Sequence, residues 1–175
     1  MRLFLKKWFA GLLLVLLVLL WLYPDWFGLI GRETRSASGA MIKVRDGDTL
    51  TIGTLDHRLH GIDAPEFSQT CKDARGADWS CGKQAHLALS RLVSGHTIAC
   101  EERARDKYRR VVATCVDEKG VDLAKAIIER GLAVSVGGFA DGPYVDEEER
   151  AKNAKLGLWQ GAFDPPATWR ESHAR

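Results

Sequence analysis

Residues 8–23 form an uninterrupted apolar run dominated by leucine and valine, and that run divides the chain into two parts that cannot share one core. A helix built from it is apolar all round, with no polar face to present to water at the edge of a globular domain. Its length lies between the core of a signal peptide and a full membrane span, which takes roughly 20 residues. Arg2, Lys6 and Lys7 precede the run, and Trp8, Trp21, Tyr23 and Trp26 sit at its ends as interfacial aromatics do. The basic residues place the amino terminus in the cytoplasm and send the remainder across the membrane. The small residues that a cleavage site needs, Ser36-Ala37-Ser38-Gly39-Ala40, come late. The run therefore reads as an uncleaved signal-anchor, with secretion following if it is cut. The predicted organisation is an anchor or signal peptide at 1–23, a linker at 24–40 and one folded domain at 41–175.

This division changes the reading of charge. The whole chain of 175 residues carries a formal net charge of +2. Residues 1–40 hold Arg2, Lys6, Lys7, Arg32 and Arg35 against Asp25 and Glu33, a surplus of three positive charges, so the domain itself sums to −1. Such a domain cannot bind nucleic acid tightly through a broad basic surface and counterion release. Any anionic polymer must be met at a local site.

Within the domain, short segments with turn signals outnumber helical ones. Met41–Arg45 and Thr49–Thr54 read as strands around an Asp46-Gly47 hairpin signal, and His57–Ile62 as a third strand. Residues 67–80 read as loop. Cys81–Val93 has helical spacing, with Ser80 as cap, Ala85, Leu89, Leu92 and Val93 on its apolar side, and Gly95 after it. His96–Glu101 and Arg110–Asp117 follow as strands four and five. Asp122 caps a helix over Leu123–Arg130 that Gly131 ends, and Asp146 starts another that runs to Leu156 and ends at Gly157. The expected fold is α+β and mainly β: a five-stranded OB-type barrel with about three helices, preceded by the membrane segment.

An exported domain favours disulfides over free thiols. A hairpin turning at Asp106–Arg109 sets Cys100 opposite Cys115, and that leaves Cys71 with Cys81. Zinc is the competing use of four cysteines, but no C-x-x-C or neighbouring histidine spacing supports it. His57, His60, His86, His96 and His173 have neither metal nor nucleophile spacing and read as structural or solvated. Trp159 and Trp169 read as packing residues.

Three motifs carry chemistry: Asp46-Gly47-Asp48-Thr49, then Arg58 through Asp63-Ala64-Pro65-Glu66, then Asp106-Lys107-Tyr108-Arg109-Arg110. Turn chemistry accounts for Asp46 and Gly47. It does not account for Asp48, which alternates onto the same face as Leu50 and Ile52. A carboxylate heading an apolar stripe is costly unless it is paired or metal-bound. Singly, each motif has a plain structural explanation. Together they offer carboxylates for a hard metal ion, a spare carboxylate for a base, and two guanidiniums for a phosphate.

In order and spacing, these motifs resemble the staphylococcal nuclease (thermonuclease) family. Gly131-Leu132-Ala133, Tyr144, Ala151-Lys152 and Gly157-Leu158-Trp159 resemble its later helices, and Pro166 with Trp169-Arg170 resembles the tail of bacterial secreted members. The resemblance covers most of 41–170. It implies an OB fold and a calcium-dependent endonuclease, a hydrolase of phosphodiester bonds acting on DNA and RNA, and the amino-terminal run sets that activity outside the cytoplasm. It implies that Asp48 and Asp63 are metal ligands, with Ala64 adding a main-chain carbonyl. Glu66 would be the general base, Arg58 and Arg110 would grip the phosphate, and Lys107 and Tyr108 would contact substrate. Magnesium or manganese would use the same oxygen donors. The family's glycine before its second arginine is Arg109 here, so two arginines compete for one role, and position in the motif assigns it to Arg110. The aromatic pair that stacks on the nucleotide falls at Gly137 and Phe139. The expected partners are nucleic acid and, through the amino-terminal segment, a membrane, with the protein a monomer. The rival readings are a catalytically silent OB module that binds nucleic acid or protein, and a membrane-tethered assembly factor that uses the barrel as scaffold.

Overall fold

The computed structural model describes residues 15–21, 34–38, 41–136 and 142–173. The chain forms two units, residues 1–33 and 34–175. In the first, residues 15–21 are helical, and Val15, Leu16, Leu17 and Trp21 are exposed. None of the described helices is long and apolar enough to cross a membrane. The rest of the expected anchor, residues 24–33 and 39–40 of the expected linker, and Gly137 and Phe139 lie outside the described residues.

The second unit is mixed α+β. Its strands are β1 (Thr34–Ser38), β2 (Ile42–Val44), β3 (Thr49–Ile52), β4 (Leu55–Leu59), β5 (Ile62–Asp63), β6 (Cys71–Lys72), β7 (Asp78–Trp79), β8 (Thr97–Arg105), β9 (Val111–Asp117) and β10 (Val134–Ser135). Its helices are α1 (Cys81–Val93), α2 (Leu123–Ile128), α3 (Val145–Asn153) and α4 (Pro166–Ser172), with a 3₁₀ turn at Gly157–Gln160. The main sheet runs β1-β8-β9-β4-β3-β2, and β5–β10 and β6–β7 form two small ribbons. Four of the five expected strands correspond to β2, β3, β8 and β9; the expected strand His57–Ile62 is broken at His60-Gly61, where Gly61 takes a φ of 79°, so that its first part falls in β4 and Ile62 in β5. The sixth, β1, arises from residues expected as linker and pairs antiparallel with β8, Thr34 opposite Glu101 and Ser38 opposite Thr97. All neighbours in this sheet are antiparallel except β4 and β9. Its two edge strands, β1 and β2, are separated only by residues 39–41, a tether of about 14 Å at full extension. The sheet must therefore curl until its edges approach, which is consistent with an OB-like fold.

The core explains why α1 and α2 form where they do. Leu50, Leu59, Ile98, Val111 and Ala113 from the sheet pack with Ala85, Leu89 and Val93 of α1 and with Leu123, Ile127 and Ile128 of α2. The helical spacing of those six residues puts each set on one face. The Cys100–Cys115 and Cys71–Cys81 bridges are both present. Cys100 lies directly opposite Cys115 across β8 and β9, as the hairpin register demands.

Several local expectations are corrected. Ser80 occupies the position before α1, but its side chain caps nothing. Residues 67–80 carry the β6–β7 ribbon, stapled at its base by Cys71–Cys81. Segment α3 starts at Val145 and stops at Asn153, short of Leu156, because Lys155 takes a left-handed φ of 53° that no continuing helix allows. Asp122 does cap α2: its carboxylate accepts from Lys125 N at 3.1 Å and from the Tyr144 hydroxyl at 2.8 Å.

Candidate active site

Asp48 closes the turn between β2 and β3, where Asp46 Oδ1 accepts from its amide at 3.1 Å. Gly47 does more than turn. Its φ is not in the left-handed region, yet a Cβ there would lie 2.5 Å from Ala85 Cβ and 2.7 Å from Ala64 Cβ. Close approach of α1 and the β5 loop, rather than turn chemistry, therefore requires glycine. This approach brings the two acidic motifs together: Ala64 N donates to Asp48 Oδ2 at 2.9 Å.

Asp48 and Asp63 are 2 % and 4 % exposed. Arg58, opposite Thr49 in the β3–β4 register, reaches between them. Its Nη1 donates to Asp48 Oδ1 at 2.9 Å and its Nη2 to Asp63 Oδ1. Thr49 Oγ1 adds a bond to Asp48 Oδ1 at 2.9 Å. Burial pushes the Asp48 carboxyl up to about 7; the Arg58 guanidinium opposes this, while the charges of Asp46 and Asp63 add to it. Burial pulls the other way on Arg58, but Asp48 and Asp63 outweigh it and hold the guanidinium more firmly charged. The Asp48 carboxyl therefore carries its charge at a cost that Arg58 only partly offsets.

Glu66 sits at the rim, with its side chain 34 % exposed. The loop that carries it is fixed from two sides. A Cβ on Gly82 would lie 1.8 Å from Glu66 O, so the start of α1 packs directly on that carbonyl. Gln69, fully buried, accepts from Glu66 N at 3.3 Å and donates Nε2 to Asp164 O at 2.8 Å.

The β8–β9 turn brings in the third motif. Asp106 accepts from Tyr108 N and Arg110 N, each at 2.9 Å, and from Arg110 Nε at 2.7 Å. Burial, the largest single influence, raises the Asp106 carboxyl, but the bonds from Arg110 and Tyr108 together outweigh it and hold the group below its ordinary value. Asp106 thus orients Arg110. Arg109 has a left-handed φ of 65°, which explains why glycine suits its position, and its side chain is exposed.

A groove of about 990 Å³ runs over this surface, lined by Arg58, Glu66, Lys107, Tyr108, Arg110 and Arg170 among others. Arg109 is not in its wall. Asp48, Asp63 and Ala64 lie beneath its Arg58 end. All the residues expected to act therefore converge, from β3, β4, the β5 loop and the β8–β9 turn. Four arginine and lysine side chains line the groove, matched by Glu66 and Asp106 in its wall and by Asp48 and Asp63 beneath it, so both signs of charge gather at this one site.

Arg170 was missed as a site residue. Nη1 of Arg170 donates to Asp63 Oδ1 at 3.0 Å and to Glu66 Oε1 at 3.1 Å, and Nη2 to Asp63 Oδ2 at 2.9 Å. Its bonds to Asp63, then those to Glu66, raise the guanidinium above its ordinary value. Only the Trp169-Arg170 pair in the tail hinted at it. The tryptophan itself stacks on His173 with ring centroids 4.1 Å apart, and Trp159 meets Phe163 edge-on at 5.0 Å. His57 is buried beside Leu55 O, 3.1 Å from its Nδ1. Among the described residues, no three His, Cys, Asp or Glu side chains form a metal-binding cluster. The oxygen donors on offer are the two buried carboxylates and main-chain carbonyls.

A family model for staphylococcal nuclease homologues matches residues 56–161. The succinoglycan biosynthesis protein ExoI of Rhizobium meliloti is 39 % identical over 118 residues, covering 67 % of this chain and 62 % of that protein. An uncharacterized endonuclease of Haemophilus influenzae is 29 % identical over 137 residues, covering 74 % of this chain and 71 % of that protein. A probable endonuclease, lcl3, of Pyrenophora tritici-repentis is 28 % identical over 122 residues, covering 64 % and 44 %. The chain thus spans under two thirds of the first of these relatives and under half of the last.

Proposed function

Because the chain belongs to the family of staphylococcal nuclease homologues, we propose that it is a metal-dependent endonuclease that hydrolyses phosphodiester bonds of DNA or RNA outside the cytoplasm. The observation that carries this reading is the groove floor, where two almost fully buried carboxylates share one guanidinium beside a rim carboxylate and further arginines. The donor set suits a hard divalent cation: all the donors are oxygen, and the burial that pushes Asp48 up to about 7 makes its charged form costly until a cation sits beside it. Asp48, Asp63 and the carbonyl of Ala64 would hold it. When bound, a calcium ion supplies positive charge to the phosphoryl oxygens and orients water. Magnesium or manganese would suit the same donors.

The remaining work falls to this chain's own groups. Arg58 and Arg110 present planar forks that match two phosphate oxygens and stabilise charge developing there. Asp106 holds Arg110 by Nε, leaving its terminal nitrogens free to bind. Glu66, at the rim, accepts the proton of the attacking water. Lys107 and Tyr108, both exposed, extend the contact along the backbone of the substrate. The two disulfides support an oxidising compartment, and the apolar run at 8–23 supports membrane attachment. The anchor, the OB barrel and a monomeric state belong to the same proposal.

Degradation of single-stranded DNA by the disulfide-intact protein, with calcium and with excess EGTA, tests this reading. Cleavage that depends on calcium supports it. No cleavage with calcium, magnesium or manganese would favour a silent binding module.

A further inference from the structure

Glu66 reaches its place beside the buried carboxylates with little help from its own segment. Among the described residues, the one side chain that hydrogen-bonds its carboxylate is Arg170, 104 positions away. That arginine is itself fixed by Asp63, which takes both terminal nitrogens. One guanidinium therefore bridges a floor carboxylate and the rim carboxylate. Its mounting is not loose. Asp164 O accepts from buried Gln69, and Lys72 N donates to Ala162 O at 2.8 Å. A Cβ on Gly161 would lie 2.3 Å from Lys72 O, and Pro166 at the start of α4 is buried. The tail is thus bonded to the same 66–72 loop that carries Glu66, and α4 returns Arg170 onto that loop's acid.

We propose that Arg170 is a positioning residue, which holds the Glu66 carboxylate in its reactive orientation by tying it to Asp63. This rests on Glu66 being the general base. The arrangement suits that task. A fork with two faces can satisfy both oxygens of one carboxylate and still present a hydrogen to a second, which a lysine cannot do. Glu66 keeps its second oxygen, Oε2, for a water proton. Partners that orient a reacting group in this manner typically contribute 10- to 100-fold.

The test is a double-mutant cycle on the full chain, with kcat and KM measured on a single-stranded oligonucleotide in saturating calcium. Arg170→Gln is expected to lower kcat about 10- to 100-fold with KM within about threefold. In a Glu66→Gln background, Arg170→Gln is expected to lower kcat by no more than about threefold further, since the group it positions is gone. Independent losses that multiply would overturn the proposal and mark a general packing role. A rise in KM at unchanged kcat would overturn it by making Arg170 a phosphate contact, and so would an Arg170→Gln enzyme as fast as the parent. Near-normal kcat for Glu66→Gln alone is the separate result that removes the base assignment itself. If Arg170→Gln melts below the assay temperature, Arg170→Lys carries the same comparison, because it keeps the charge but cannot bridge.

Discussion

Arg109→Gly separates strain from function at the β8–β9 turn. Arg109 holds a φ of 65°, and its amide donates to Asp106 O at 2.9 Å. The other turn bonds run from Tyr108 N, Arg110 N and Arg110 Nε to the Asp106 side chain and from Asp106 N to Arg110 O, so none of them uses the Arg109 side chain. A left-handed conformation costs an L-residue about 1–2 kcal/mol. Glycine removes that strain but brings about 0.5–1 kcal/mol of extra freedom to the unfolded chain. The net expectation is a gain of about 0.5–1 kcal/mol, which in a domain of this size raises the melting temperature by about 2–3 °C. Because Arg110 lines the groove and Arg109 does not, Arg109→Gly is also expected to leave kcat/KM within about threefold of the parent. Arg110→Ala is expected to lower it by at least ~10². Differential scanning calorimetry and oligonucleotide kinetics on the two variants decide the matter. A lower melting temperature for Arg109→Gly would refute the strain argument. A loss of activity matching that of Arg110→Ala would refute the assignment between the two arginines.

Glu66→Gln or Arg58→Ala is expected to lower turnover by at least ~10², the scale of one catalytic group; either variant retaining most of its activity would remove that residue from the mechanism. Arg58→Ala also strips the shared cation from Asp48 and Asp63, so denaturant unfolding in EGTA should show it less stable by about 3 kcal/mol. The Cys100–Cys115 bridge closes a sequence separation of 15 residues, and replacing both cysteines with alanine is expected to destabilise the domain by about 3 kcal/mol; a urea midpoint unchanged from the parent would contradict this. Asp48 sets a pH signature in the metal-free protein. Its folded value, about 7, lies above the ordinary 3.8, so between these the folded state binds more protons than the unfolded one. Its contribution to stability is present below about 4 and lost as pH rises towards 7, by at most about 1.4 kcal/mol per pH unit. Asp48→Asn should flatten that part of the stability curve in EGTA, and an identical curve for the parent and the variant would overturn the reading.

What could be read from the residues followed the range of the interactions involved. Helix α1 and the cysteine pairing were legible because each depends on local spacing: a 3.6-residue apolar stripe ended by Gly95, and a turn that fixes which cysteine faces which. Asp48 was legible as an anomaly, since its side chain alternates onto the core face. Strand β1 was not, because Thr-Arg-Ser-Ala-Ser has no apolar alternation, and its partner β8 comes about 60 residues later. Gly47 was read through the wrong cause, because a close approach by Ala85 and Ala64 exists only after α1 has packed on the sheet. Arg170 was hidden for the same reason, more strongly: a cation on a short polar helix is ordinarily solvated, and it is the bonds of the 161–164 segment to the 69–72 loop, with the buried Pro166, that turn it inward. These failures share a direction. The motifs named the groups proposed to touch phosphate or metal, while the groups that hold them in place came from distant segments joined by packing. The Cys71–Cys81 bridge fits that division. It staples the loop between Glu66 and α1 and packs with Leu158, Trp79, Val134 and Phe163, next to the tail that carries Arg170. Reducing it should therefore impair the enzyme chiefly through Glu66, so the loss should be much smaller in a Glu66→Gln background than in the parent, whereas loss of Cys100–Cys115 should lower stability in both alike.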